Sequence, residues 1–243
     1  MGQPRLYREI YGNSRLAGYR VCVRETDLWV QTQLPCEARV RELIFRYRSY
    51  IESYIAAHPG FLDALAPWPL QGPAPEIIRQ MTDAAAAAGV GPMAAVAGAM
   101  AEQVGKALLA DSREVLIENG GDIFVKLEEP FTLAVDAGAS PLSYKIGLQL
   151  DATGKPLGVC TSSGTVGHSL SYGKADAVCV VSNACALADA AATAIGNRVG
   201  RPDDIDAAVA FGRNIPGVSG IVIIAEERIG LWGDLSVVPI KKS

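Results

Sequence analysis

An alanine-rich run from Ala184 to Asn197 constrains the fold more than any other segment, because it predicts a helix with almost no polar side chains. Asp189 and Thr193 are the only residues from Leu187 to Ile195 whose side chains carry polar oxygens. They are four residues apart, so they lie on one face, one helical turn from each other. A carboxylate among alanines is costly to bury unless its charge is compensated. Asp189 therefore caps a helix or faces water, or it joins Thr193 in binding a hard cation such as Mg²⁺.

Two upstream motifs combine glycines, hydroxyls and a carboxylate at the ends of apolar runs. The first, residues 118–123, contains an Asn-Gly step that predicts a hairpin in which glycines supply positive φ. Its bare backbone also lets a ligand ring or phosphate approach closely, and the two interpretations are compatible. The second, residues 159–164, is an apolar strand ending in a hydroxyl cluster typical of a turn. Together they supply the candidate cofactor-binding residues Gly120, Gly121, Asp122, Thr161, Ser162, Ser163 and Gly164.

A further stretch dense in hydroxyls, residues 165–171, contains one imidazole, that of His168. Such groups suit a nucleotide or a phosphate, whereas His168 alone is equally consistent with a structural histidine. The sequence has no G-x-S-x-G motif, so a serine-hydrolase triad is poorly supported. It also lacks a His/Cys cluster for zinc and the glycine motifs of P-loop and Rossmann sites.

The order Gly-Gly-Asp, Thr-Ser-Ser-Gly, His168 and Ala-Asp-x-x-x-Thr resembles the ApbE family of FAD:protein FMN transferases over about residues 115–197. The resemblance implies one α+β domain over residues 1–243, ApbE-like and T-fold-like, with layered antiparallel sheets and long helices. It implies that Asp189 and Thr193 hold Mg²⁺ and that His168 and Asp189 are catalytic. FAD or another nucleotide would then bind in a cleft formed by Gly120 to Asp122, Thr161 to His168 and the start of the alanine-rich helix.

The chain departs from the transferase pattern at two places. Residues 89–93, Gly-Val-Gly-Pro-Met, lack the Lys-Gly pair found there in the transferases, and no Asp-Pro pair follows His168. The pattern is more similar to a small cytoplasmic branch of ApbE-like proteins and argues against standard FMN transfer. The leading hypothesis is an enzyme that acts with Mg²⁺ on a flavin or another nucleotide-like, phosphate-bearing molecule. The alternatives are a non-catalytic flavin- or nucleotide-binding protein and an enzyme of sulfur assimilation that uses Cys160.

Composition narrows the classes of partner and compartment. With 49% hydrophobic and 20% charged residues, the 243-residue chain is typical of a globular protein. A net charge of −4 with mixed signs predicts no nucleic-acid partner, so we expect a small-molecule ligand, and a homodimer stays open. The N-terminus does not resemble a signal peptide, which favours a cytoplasmic location. Glycines and Pro92 interrupt the uncharged stretch from Ala84 to Ala101, so we predict no membrane span. The five cysteines form no C-x-x-C pair and are predicted to be reduced, buried thiols.

Periodicity and turn residues predict the order of the elements. We expect an N-terminal hairpin, residues 18–24 and 28–33, and then an amphipathic helix from Glu37 to Ala57. A loop over residues 61–75 precedes helices at 75–88 and about 92–109. Short strands follow, and the alanine-rich helix and a helix at 202–213 precede three closing strands. Short strands joined by tight turns imply an antiparallel sheet. The glycines before Pro92 suit either a plain helix connection or an anion site at a helix N-terminus.

Overall fold

Antiparallel strands make up most of the sheet layers. The computed structural model describes residues 15–164, 173–233 and 235–240. The strands in this part of the chain are Ala17–Val23 (β1), Thr26–Thr32 (β2), Val115–Asn119 (β3), Asp122–Lys126 (β4), Phe131–Ala134 (β5), Ile146–Leu150 (β6), Leu157–Ser162 (β7), Ala177–Ser182 (β8), Val218–Ala225 (β9), Arg228–Gly233 (β10) and Ser236–Pro239 (β11). Every pairing among them is antiparallel, as the short strands and tight turns predict.

The helices follow the predicted order with one addition. Those in the described residues are Glu37–Ala57 (α1), Gly60–Asp63 (α2), Glu76–Ala88 (α3), Val96–Leu108 (α4), Cys185–Gly196 (α5) and Ile205–Gly212 (α6), and short 3₁₀ turns at Pro92–Ala95 and Pro202–Asp204 lead into α4 and α6. The prediction of an unbroken loop over residues 61–75 is wrong, because α2 extends into it. Phe61 is fully buried there, with its ring 4.9 Å from that of Tyr54 and 5.9 Å from that of Trp68.

Two sheets and a helical layer form a three-layer α+β domain, which confirms the predicted fold class. The large sheet has the strand order β1-β2-β3-β4-β7-β8-β9-β10, and the small sheet has the order β11-β6-β5. One face of the large sheet packs against the helices, with Phe124 and Cys160 in that core. The opposite face packs against the small sheet, with Val159 and Leu148 between them. The extent of the domain over residues 1–243 stays a prediction.

One edge of the large sheet collects the turns that matter for the site. Antiparallel order brings three turns to this edge, those of β1–β2, β3–β4 and β9–β10, together with the end of β7 and the start of β8. We call this the turn edge. The first turn lies at Arg24-Glu25 rather than at the predicted residues 25–27, because Val23 pairs directly with Thr26. The N-terminus of α4 packs beside the β3–β4 turn, since the Asn119 side chain donates a hydrogen bond to the Ala97 carbonyl.

The cysteines are not all buried as predicted. Cys160, Cys179 and Cys185 are buried, but Cys36 is half-buried and Cys22 is exposed. Cys22 lies on β1, an edge strand whose residues alternate between the core and solvent, and it falls on the outward side.

In the described residues, no single helix is both long and apolar enough to cross a bilayer. Only α3 and the segment Pro92–Leu108, taken together, have the length and composition, and they are bent by 106° at the break between them.

Candidate functional site

The β3–β4 turn requires both of its glycines. Asn119 pairs with Asp122, which leaves Gly120 and Gly121 as a two-residue loop with φ of 71° and 111°. Positive φ at both positions is the pattern of a type I′ hairpin. A Cβ added to Gly120 would meet no atom of the described residues within 4 Å, whereas one on Gly121 would lie 3.3 Å from the Thr161 carbonyl oxygen. The hairpin interpretation is therefore correct, and the open space at Gly120 leaves room for a ligand.

The end of β7 lies directly beside this turn. The Thr161 amide donates a 3.2 Å hydrogen bond to the Gly121 carbonyl. Thr161, Ser162 and Ser163 are half-buried, and Gly164 is exposed. The structure thus brings the two glycine- and hydroxyl-containing motifs together, as the sequence predicted.

The connection between β7 and β8 begins and ends beside the C-terminus of α5. A Cβ on Gly164 would lie 2.1 Å from the Gly173 carbonyl oxygen, and one on Gly173 would lie 1.9 Å from that of Gly196. Only glycine allows backbones to approach this closely. His168 falls between these glycines but lies outside the described residues, so its predicted role stays a prediction.

Asp122 is the first residue of β4, and its carboxylate is buried between the sheet and the helices. It pairs with Cys160 across the strands and is 8% exposed. Burial raises the pKa of Asp122 well above its usual value, the negative charges of Asp189 and Glu118 raise it further, and an interaction with the Cys160 thiol lowers it. Asp122 and Asp189 therefore act on each other across the sheet–helix interface.

Asp189 caps a helix, but not the one that contains it. Its Oδ2 atom accepts a 2.9 Å hydrogen bond from the backbone amide of Gly98, in the first turn of α4. Burial raises the pKa of Asp189 to about 7, while hydrogen bonds from the Gly98 and Ala97 backbone oppose that rise. The positive end of the α4 dipole thus supplies the compensation that a carboxylate among alanines requires.

Glu102 belongs to the same arrangement, although it is not among the predicted site residues. It lies on α4, is 3% exposed, and its Oε2 accepts hydrogen bonds from the amides of Cys185 at 2.7 Å and Ala186 at 3.2 Å. Its Oε1 lies 2.6 Å from the ammonium of Lys106. The sequence did contain a signal for this role. Glu102 is an acidic residue in a helix whose other residues are mostly small or apolar, and this helix packs near an uncapped helix start.

The predicted contribution of the start of the alanine-rich helix needs correction. The first-turn amides of α5 are taken by Glu102, and Cys185 and Ala186 are almost fully buried. Asp189, in the second turn of α5, is the residue of this helix whose charge acts on Asp122, and the half-buried Thr193 follows one turn later. The predicted site residues of α5 therefore lie in its second and third turns, away from the amides that Glu102 binds.

The glycines before Pro92 make a helix connection. Gly89 has φ of 74° and ends α3 in the left-handed conformation. A Cβ on Gly91 would lie 1.6 Å from the Ala64 carbonyl oxygen, so this residue must be glycine for packing. The Gly98 amide, in the first turn of α4, is already bonded to Asp189, so it is not available to an anion.

The donor set fits Mg²⁺. Asp189, Thr193 and Asp122 offer only oxygens, and Mg²⁺ is held by one or two protein carboxylates together with waters and phosphates. Burial disfavours the ionised forms of Asp122 and Asp189 and so raises their pKa values, whereas a bound cation would favour the ionised forms. Within the described ranges, no group of three or more His, Cys, Asp or Glu residues is placed to hold a metal ion. A magnesium ion held by Asp189 and Thr193 would therefore need further oxygens from waters and a ligand.

Cys160 is placed as a structural thiol. It is fully buried, with its Sγ 3.5 Å from that of Cys185, and it donates a hydrogen bond to the Cys185 carbonyl. Burial raises the pKa of the Cys160 thiol well above its usual value. Because the thiolate is the reactive form of cysteine, this environment disfavours a nucleophilic role.

Two grooves open on the described surface. One, of about 700 Å³, lies at the far end of the turn edge, beside the β9–β10 turn, and includes Asp176 and Arg228. The other, of about 270 Å³, lies between α3, α4 and α5 and includes Glu102. Neither is lined by Asp122 or Asp189, so the candidate site is defined by the convergence of these side chains beside the β3–β4 turn.

Comparison with known proteins places the chain in a family. A family model described as "AbpE bacteria" matches residues 8–227. The chain belongs to this family. It is 40% identical to a UPF0280 protein of Methanocella arvoryzae over 214 residues, which cover 88% of this chain and 87% of the relative. A UPF0280 protein of Methanococcus aeolicus is 41% identical over 200 residues, 80% of this chain and 81% of the relative. Membership of the ApbE-like superfamily, inferred from the motif order, is confirmed.

Solved structures show the same fold. The apo form of the flavinyl transferase ApbE from Pseudomonas stutzeri has a TM-score of 0.57 at 14% identity, covering 89% of this chain and 93% of that one. The flavin transferase ApbE from Vibrio cholerae has a TM-score of 0.57 at 10% identity, covering 89% of this chain and 96% of that one. At these identities the likeness establishes the family's fold, with its layered sheets and helices.

Proposed function

We propose that the protein binds a flavin or a similar phosphate-bearing nucleotide together with Mg²⁺ at the turn edge, and that it acts on the phosphoanhydride of that ligand. The observation that carries the proposal is the meeting of Asp122 and Asp189 beside the open backbone at Gly120. A cation would favour the ionised forms of these two carboxyls, and the neighbouring turn and β7 hydroxyls suit a nucleotide. The fold shared with flavin transferases supports a flavin among nucleotides.

Each part of the site has its own task in this proposal. Asp189 and Thr193 would hold the magnesium ion, which supplies charge neutralisation and polarises the phosphoanhydride. The Gly120–Gly121 backbone lets the ligand approach the sheet edge without meeting a side chain. Ser162 and Ser163 offer hydroxyls beside that backbone, whereas the Thr161 side chain meets Cys179 on the opposite face of the sheet and contributes through its backbone. Standard FMN transfer to a partner protein is not part of the proposal, because the Lys-Gly and Asp-Pro pairs are absent.

The test is incubation of the purified protein with FAD and MgCl₂, followed by separation of free from bound flavin and chromatography for AMP. Bound flavin with released AMP supports an enzyme that cleaves the phosphoanhydride. Binding without AMP supports the non-catalytic binding protein. Asp189→Asn and Thr193→Val are the site variants, and EDTA is the control for the cation. If FAD does not bind with or without Mg²⁺, the proposal is wrong.

The sulfur hypothesis has a separate test. A sulfide-incorporation assay that loses activity in Cys160→Ala, with no flavin binding in the first experiment, would favour it. The burial and raised pKa of Cys160 argue for the opposite result.

A further inference from the structure

Helices α4 and α5 both begin without a side-chain cap of their own. Their N-cap residues are Ala95 and Ala184, and neither makes a capping hydrogen bond. Alanine is among the poorest N-cap residues, and the first amides of a buried helix need acceptors from elsewhere.

Each helix supplies the missing acceptor of the other. Glu102 of α4 accepts the Cys185 and Ala186 amides at the start of α5, and Asp189 of α5 accepts the Gly98 amide at the start of α4. On both helices the carboxylate comes four residues, about one turn, after an amide that is bonded. The two helix starts are therefore tied in both directions over a single turn of each helix.

The helices touch at this point. A Cβ on Gly98 would lie 2.5 Å from the Cys185 carbonyl oxygen and 2.8 Å from the Cβ of Asp189. The position of the Asp189 carboxylate is thus set by the distance between the two helices, and the bonds of Glu102 help to set that distance.

The two carboxylates differ in how they are neutralised. Glu102 has the ammonium of Lys106 at 2.6 Å and two helix amides. The influences on Asp189 are burial and hydrogen bonds from two backbone amides. Among the described residues, Glu102 is thus compensated by an ammonium and two amides, whereas Asp189 is compensated by the amides of a helix start.

We propose that Glu102 is a positioning residue for Asp189. It holds the start of α5 against α4, so that Asp189 keeps its bond to Gly98 and presents its other oxygen towards Asp122 and a cation. The ligand side of this inference rests on the proposed function. The structural side, the dependence of the Gly98–Asp189 bond on Glu102, can be tested without any ligand.

The experiment compares four variants of the full chain. Glu102→Gln keeps a carbonyl oxygen for both amides but removes the charge that strengthens the two bonds, and Gly98→Ala forces the helices apart without changing a charge. Lys106→Met is the matched control, since it removes the ion pair and keeps both bonds from Glu102 to α5. Ile224→Val lowers stability within the core between the two sheets, on the face of the large sheet opposite to this helix pair, and controls for destabilisation alone.

Two readouts are measured, each corrected for the thermal midpoint of the variant. The first is hydrogen exchange of the Gly98 amide by NMR, with the amide of Leu148, in the small sheet, as the internal reference. The second is the Mg²⁺ concentration that half-saturates FAD binding, measured together with the FAD affinity in EDTA. Loss of the charge that strengthens these hydrogen bonds changes an equilibrium about tenfold.

Glu102→Gln and Gly98→Ala are expected to speed exchange of residue 98 about tenfold and to raise the Mg²⁺ midpoint, with FAD affinity in EDTA unchanged. Lys106→Met and Ile224→Val should alter neither readout. Unchanged exchange at Gly98 in Glu102→Gln overturns the inference, and so does an equal effect in Lys106→Met. If wild-type protein binds no FAD, the proposed function fails, while the exchange result still decides the role of Glu102. Should Gly98→Ala not fold, Glu102→Gln alone decides.

Discussion

Two influences on Asp189 oppose each other near neutral pH. Its burial favours the protonated carboxyl, and its bond to a helix start favours the carboxylate. Its pKa is raised to about 7 by burial, whereas the same carboxyl in the unfolded chain has a value near 3.8. Between these values the folded state keeps a proton that the unfolded state has lost, so the free energy of unfolding falls as pH rises through this window. The helix start that donates the Gly98 amide to Asp189 limits this cost, and a bound cation would remove much of the rest.

This conflict predicts a stability difference that depends on pH. Asp189→Asn keeps an oxygen for the Gly98 amide but carries no charge at any pH. The stability of the variant relative to wild type should rise from pH 5 to pH 8 by on the order of 1 kcal/mol or more in EDTA. Urea denaturation at the two pH values measures this. A wild type that gains stability relative to the variant from pH 5 to pH 8 would contradict the direction of the Asp189 shift.

The two glycines of the β3–β4 turn should respond differently to alanine. Both have positive φ, which costs about 1 kcal/mol for a residue with a Cβ. Gly121→Ala should be more destabilising than Gly120→Ala, because only its Cβ meets a neighbour, the Thr161 carbonyl at 3.3 Å. Gly120→Ala should instead weaken FAD binding by more than its stability loss explains, since its Cβ enters the open space. Thermal melts and FAD titrations of both variants separate the effects, and Gly120→Asn controls for φ, because asparagine tolerates this conformation.

At the scale of elements, the packing of α5 on the sheet depends on one glycine of β7. A Cβ on Gly158 would lie 2.3 Å from the Cα of Cys185, which is backbone and cannot move alone. Gly158→Ala should therefore shift the start of α5 and cost about 1–3 kcal/mol of stability. Gly154→Ala is the matched control, because a Cβ there meets nothing within 4 Å, and it should stay within about 0.5 kcal/mol of wild type. Equal denaturation midpoints for the two variants would show that α5 does not depend on this contact.

Local patterns predict some elements closely and leave others open. The bounds of α1 match the prediction because its apolar residues repeat every three to four positions and those residues, such as Val40, Leu43 and Ile44, are buried. The helix spacing also places Asp189 and Thr193 on one face. In contrast, α2 was missed because its four residues have no repeat to detect and form where Phe61 is buried.

The partner of each key carboxylate could not be read from the sequence. Asp189 and Gly98 are 91 residues apart, and Glu102 and Cys185 are 83 apart. Such pairs depend on how α4 and α5 cross, which no local pattern encodes. The sequence does show that acceptors are needed, because both helices have an alanine at the N-cap and their first amides must be bonded from elsewhere. The order of the motifs predicted the correct superfamily, because glycines and carboxylates with a geometric role occur in a recognisable order and spacing.

At the scale of the whole molecule, the candidate site joins the turn edge of the large sheet to α4 and α5. Asn119 binds the Ala97 carbonyl, Asp189 binds the Gly98 amide, and the base of the β7–β8 connection packs on Gly196. A ligand bound there contacts elements from both the sheet and helical layers. It should therefore stabilise the whole chain, by RT ln(1 + [L]/Kd) when it binds only the folded state.

This linkage gives a prediction with a defined size. FAD at about 100 times its Kd in the presence of MgCl₂ should raise the free energy of unfolding by about 2.7 kcal/mol. Thr193→Val keeps the shape of the side chain and removes its oxygen, so it should lose the part of the gain that depends on Mg²⁺ and keep the part measured in EDTA. Leu148→Ala is the control for distance, because Leu148 is buried between the two sheets, away from α5. It should cost about 2–5 kcal/mol and leave the FAD-induced gain unchanged. If the FAD-induced gain in wild type does not depend on Mg²⁺, or if Thr193→Val shows the same gain as wild type, the proposed cation site is wrong. The proposed nucleotide site would then still stand.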